Sequence, residues 1–393
     1  MVNAFLMGAP PFSLFASAEW ESGFVKLVVR KPIMCKMPTT CTLVVSLLLL
    51  AIFSGTTAST AVNQAVLQMS TSRSHDSACS ASLSDGRSLV TGGNGSAGPL
   101  ATAKYFERGG QFTSVAPMLA ARTDHICIAL EDGTVLVAGG NTGKDGVTNA
   151  AEIFHPDSNT WTPTGPMLTA RRGAATVLLK GGTALVVGGD VAGQVINTLE
   201  FYNPVAARFD QAPGVLSAPR TRYALTVLTD GRVLIAGGFE GGRILDSIDV
   251  FDPTEGISYA GRMSAARANF TATTLSNGNV LFAGGTDGSR ELASAELYDP
   301  LTGNVRPAEP LAAARQNHLA VRSMHSDAVL IFGGTSAGRA VDLAEAFLPE
   351  RNAFEVARDV TGEDGSTTIT IGTLNPNATV RMIRTYRLPT ASR

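Results

Sequence analysis

Residues 220–253 read RTRYALTVLTDGRVLIAGGFEGGRILDSIDVFDP, and this stretch decides the fold. Arg220 opens it. Asp230-Gly231 then stands between two short apolar runs. That is the strongest short-range signal for a β-hairpin, because a type I′ turn wants φ > 0 at both central residues. The second run, RVLIA, ends on Gly237-Gly238, and Asp249, Phe251 and Pro253 follow as acid, aromatic and proline.

The same pattern recurs along most of the chain. Gly-Gly pairs stand at 92–93, 139–140, 188–189, 237–238, 284–285 and 333–334, and a turn dipeptide precedes each at a constant offset. The opening arginines are Arg73, Arg122, Arg171, Arg220, Arg267 and Arg315, and the recurrent acids are Glu152, Glu200, Asp249, Glu296 and Glu345. A last strand carries Phe112, Trp161, Phe209, Tyr259, Val305 or Phe354. Each unit therefore predicts four short strands, with the recurrent aromatics as core. A lone unit cannot bury both its faces, so units must stack on one another until a ring closes. The glycine pairs are expected at φ > 0, where the backbone approaches its neighbours closely.

Composition agrees. The 393 residues include 41 glycines, only 16% are charged, and the net charge is −2. An apolar fraction of 44% excludes a disordered chain. Near-neutrality argues against nucleic acid as a partner, since that needs a basic face.

On these motifs the chain resembles the kelch-repeat family, in particular repeats similar to the central domain of galactose oxidase. The resemblance implies an all-β, six-bladed kelch-type β-propeller over residues 62–356, with four antiparallel strands per blade. In galactose oxidases copper is held by two tyrosines and two histidines. Here Tyr105, Tyr202 and Tyr298 occupy a repeated blade position and no Tyr-His dipeptide occurs, so the copper set does not carry over. No cofactor or metal is expected. Fold and activity separate readily on such scaffolds.

Residues 1–61 are expected to be an extension plus a signal peptide. The apolar run Leu43 to Phe53 is too short for a spanning helix and is followed by small residues. Met34 and Met37 stand where a signal peptide would begin, so 1–33 is expected to precede the true start. The mature chain is then a secreted or periplasmic monomer without a membrane span. Residues 357–393 form a short β-rich tail.

Function is sought where the repeat varies. Candidate binding residues just after the opening arginines are Asp124, His125, Arg172, Arg222, Tyr223, Asn269, Asn317 and His318. Residues just past Gly-Gly, including Asn141, Asp190 and Phe239, vary too. The resemblance puts both sets on one face, at a mouth of the channel. The expected function is non-catalytic binding of a protein or glycan there. The alternative is a sugar mutarotase or epimerase, for which Glu240, Asp124, His125 or His318 could supply acid and base. The opening arginines are expected to pair with the recurrent acids rather than with a ligand. Longer spacing in units one and six predicts bulges beside the seam. Cys79 and Cys127 lie at opposite parity to their turns, which predicts two unpaired buried thiols.

Overall fold

The computed structural model describes residues 77–356 apart from 108–111, 323–326 and 342, together with the backbone of short strands near both chain ends. The expectations for residues 32–76, among them the apolar run and Arg73, lie outside the described residues.

Among the described residues, six four-stranded antiparallel sheets follow one another along the chain, at 78–114, 126–164, 175–211, 224–262, 271–308 and 319–356. They are called blades one to six. Blade four is built from Ala224–Val227, Val233–Ala236, Ser247–Asp252 and Gly256–Arg262, paired in that order. The first strands contact one another from blade to blade and so surround the axis. Second strands such as Val135–Ala138 and Val233–Ala236 are buried along their whole length.

Alternation along each strand sends one set of side chains to the preceding blade and the other to the next. Blade two shows both sets. Cys127, Val135, Val137, Phe154 and Trp161 pack on blade one, whereas Ile126, Leu136, Ala138 and Ile153 pack on blade three. Blade six is likewise buried on both faces. Val329, Ile331 and Phe347 meet blade five, and Leu330 and Ala346 are buried on the other side. A ring requires this; an open fan would leave that last face in water.

All twelve paired glycines have positive φ, as expected. The cause is visible at Gly238 (φ 107°): its N–H donates to the Arg267 carbonyl of the next blade at 2.7 Å. A Cβ there would sit 2.7 Å from the Thr221 carbonyl oxygen. The hairpin turns differ from the expected type. Only the glycine of Asp85-Gly86 is left-handed, and Gly86 N–H donates to the Leu83 carbonyl. These are three-residue loops with glycine at the bulge position. Asp85, Asp132, Asp230 and Asn277 keep negative φ, and each side chain accepts the backbone N–H two residues on.

Two further expectations change. In blades one and six the described strands pair without a register shift; the shift lies in blade four, between Ile248 and Asp249. On the turn side of that bulge Ile257, not Tyr259, pairs with Phe251, because this hairpin is one residue shorter than the one that sets Trp161 opposite Phe154; Tyr259 is exposed. Elsewhere the recurrent aromatics pack as core, with ring centroids 4.9 Å apart for both Phe154–Trp161 and Tyr202–Phe209.

Cys79 and Cys127 form a disulfide, with Cα atoms 5.9 Å apart. The parity argument that kept them apart holds within one sheet. Between stacked blades, the forward face of one meets the rear face of the next, so opposite parity is what brings two side chains together.

Candidate functional site

The repeated arginines are structural. Arg122 donates from Nη1 to the carbonyls of Gly139 and Ala150 and from Nη2 to Glu152 Oε1 at 2.7 Å. Glu152 Oε2 in turn accepts the Leu119 N–H. The clamp repeats as Arg171–Glu200, Arg220–Asp249, Arg267–Glu296 and Arg315–Glu345, at 2.5–2.7 Å and almost wholly buried. It ties the incoming loop to the second and third strands of each blade, as expected from the matching acids.

One residue further along, a second device begins. The residue after the opening arginine pairs with the residue after Gly-Gly in isolated antiparallel bridges: Thr123 with Asn141, Arg172 with Asp190, Thr221 with Phe239, Ala268 with Thr286 and Gln316 with Thr335. The two variable sets therefore share one face. Next come Ser77, Asp124, Gly173, Arg222, Asn269 and Asn317, all at φ between 52° and 64°. Their peptide groups link blade to blade. Asp124 N–H donates to Ser77 O, Gly173 to Asp124, Asn269 to Arg222 and Asn317 to Asn269, at 2.8–2.9 Å. Six left-handed residues thus stand along a belt at the mouth, joined by these bonds across blades one to three and across blades four to six.

Of the candidate residues, Asp124, Arg222, Asn269 and Asn317 stand on this belt. Arg222 and Asn317 are exposed, and Asp124 and Asn269 half-buried. The Arg222 guanidinium lies 5.4 Å from the Phe239 ring centroid, a cation–π distance. Asn269 Nδ2 donates to Gln316 Oε1, and Gln316 Nε2 to Glu291 Oε1. Arg172 stands one register earlier, where its Nε donates to Asp190 Oδ1 at 3.1 Å; its true counterpart on the belt is Gly173.

His125, Tyr223 and His318 are not displayed at the mouth. They share a position with Ala174 and Phe270, directed between blades against the glycine pairs. His125 Nε2 lies 2.8 Å from Thr91 Oγ1 and His318 Nε2 3.0 Å from Thr271 Oγ1. Burial, reinforced by the adjacent Arg122 or Arg315 charge, pushes each imidazole down to about 3. Each is therefore neutral at ordinary pH. Tyr223 donates its hydroxyl proton to the Val187 carbonyl and accepts the Ala175 N–H. These three side chains plug the seams, because the mouth end of each blade needs bulk beside glycine. Gln316 and Glu291, which do join the rim network, were readable only as variable positions flanking the same two landmarks.

Among the described residues, no three His, Cys, Asp or Glu side chains cluster as a metal site, and no helix is long and apolar enough to cross a membrane. Tyr105, Tyr202 and Tyr298 are buried between blades, but only Tyr202 and Tyr298 share a register position. Tyr105 stands where Ile153 does and Phe106 takes the equivalent place in blade one, so the expected common position does not hold for Tyr105.

The Kelch motif matches residues 220–257, which is blade four with its opening arginine. The solved structure of YjhT is similar in fold, with a TM-score of 0.54 at 16% identity over 70% of this chain and 96% of that one. No curated protein matches the sequence.

Proposed function

We propose that this chain, a kelch-repeat β-propeller, is an exported monomeric binding module whose belt face takes up a glycan without transforming it. The observation that carries the reading is the belt. It fixes the backbone of Asp124, Arg222, Asn269 and Asn317 by hydrogen bonds between peptide groups, while Gln316 orients the Asn269 amide and the Phe239 ring lies beside the Arg222 guanidinium. Short polar groups held in fixed directions suit hydroxyl-rich ligands. A protein interface would call instead for an aromatic, apolar centre. The buried His125 and His318 are withdrawn from acid–base work at the mouth, which leaves Asp124 and Glu240 as the candidates of the mutarotase alternative. Export is supported by the apolar run and by the Cys79–Cys127 bridge, since disulfides persist in oxidising compartments.

Saturation-transfer NMR of the purified chain against a panel of neutral and acidic oligosaccharides tests the reading. Wild type is expected to give ligand signals that Arg222→Ala and Asn317→Ala weaken about tenfold, the cost of one or two lost hydrogen bonds. Faster interconversion of anomers in the same spectra replaces binding by mutarotation. No signal with any sugar overturns the glycan reading.

A further inference from the structure

Among the described residues, blade one shows no counterpart of the contact that pins every other blade. Blades two to six each hold a buried arginine–carboxylate clamp. In blade one the carboxylate position is Lys104, which pairs with Val90 as Glu152 pairs with Val137 in blade two. An ammonium group cannot accept the guanidinium and backbone N–H groups that Glu152 accepts.

Blade one is also the first of the array. Each described blade is made of consecutive strands, and none is completed by a strand from the opposite end of the chain. A ring closed in that way has a seam without interstrand pairing, and blade one depends on what blade two provides. Blade two provides apolar packing of Val135, Val137, Phe154 and Trp161 against Leu89 and Tyr105, and polar links that include Asp124 N–H to Ser77 O, Gly93 N–H to Arg122 O, the Thr91–His125 contact and, beside them, the disulfide. Among the described residues the bridge is the only covalent cross-link between blades apart from the chain itself, and it lies where the clamp is missing.

We propose that the Cys79–Cys127 disulfide takes the place of the missing clamp, so that blade one stays docked only while these two cysteines are oxidised. A dithiol reductant would pass two electrons to the S–S bond. The bond breaks, each sulfur takes a proton, and the dithiol closes to its own disulfide. Blades two to six keep their clamps, so the consequence is a local release of residues 77–114. Because the Ser77 carbonyl anchors Asp124, the release reaches the belt; this last step rests on the binding reading above.

Hydrogen exchange followed by mass spectrometry on the full chain provides the test. The oxidised protein is compared with Cys79→Ser/Cys127→Ser and with protein reduced by dithiothreitol and alkylated. Amides in 78–82, 88–92 and 103–106 are expected to exchange at least about tenfold faster without the bridge, while 184–187, 233–236 and 280–283 stay protected. Equal acceleration in all blades, or no change in blade one, overturns the proposal. Should the double variant not accumulate, the reduced and alkylated protein gives the same comparison. The readout needs no ligand, so its failure leaves the glycan reading standing, and the reverse also holds.

Discussion

Acid should loosen this ring through two histidines. His125 and His318 are buried between blades, and Nδ1 of His125 lacks a hydrogen-bond partner. Burial first, and the charge of Arg122 or Arg315 second, lower each from the ordinary 6.5 to about 3. Below pH 6.5 the unfolded chain therefore binds two protons that the folded ring refuses. Stability is complete above about 6.5 and falls with pH until about 3. At pH 5 the gap amounts to about 2 kcal/mol per histidine, about 4 for the pair, at 1.36 kcal/mol per pH unit. The comparison protein is His125→Phe/His318→Phe, because Phe270 already fills this position in blade five. Urea midpoints at pH 7.5 and pH 5.0 would be converted to free energies for both proteins. Carboxylates titrate alike in the two, so the difference isolates the imidazoles. Wild type should lose about 4 kcal/mol more than the variant across this interval. Equal losses would refute the reasoning and mean that the imidazoles gain protons in the folded ring.

Other substitutions separate the scaffold from its decoration. Arg267→Ala strands the buried Glu296 carboxylate and should cost about 3–5 kcal/mol in urea unfolding, whereas Arg290→Ala on the surface should cost under about 1 kcal/mol. Gly238→Ala forces a Cβ into the Thr221 carbonyl and the Tyr223 Cβ, 2.7 and 2.9 Å away, at φ 107°. Its melting temperature should fall well below that of Gly242→Ala, which meets nothing within 4 Å and carries only the strain of its φ.

The landmarks that repeat were readable because each is the only chemical answer to a local demand. Only glycine fits beneath the next blade's Arg carbonyl, and only an acid answers a buried arginine. Those positions announced strands, turns and clamps. The belt was not readable, because left-handed backbone is met by Ser77, Asp124, Gly173, Arg222, Asn269 and Asn317 alike. No single residue type marks it. Histidine at 125 and 318 reads as function in a list of residues. In space it is one of several fillers, exchangeable for Tyr223 or Phe270. The cysteines misled for a geometric reason, since parity within a sheet inverts when two sheets stack. Tyr259 misled because a hairpin one residue shorter in blade four hands the place opposite Phe251 to Ile257.

The belt also limits what evolution or a protein engineer can place at the mouth. Left-handed backbone excludes β-branched residues and taxes most bulky ones, while asparagine, aspartate and glycine enter at low cost. A library randomised at 124, 173, 222, 269 and 317 would therefore be filtered by folding before any ligand was offered. The survivors would be small and polar for conformational reasons. The recognition vocabulary of this face is in that sense inherited from its backbone, and Arg222 is the position where the chain departs from it.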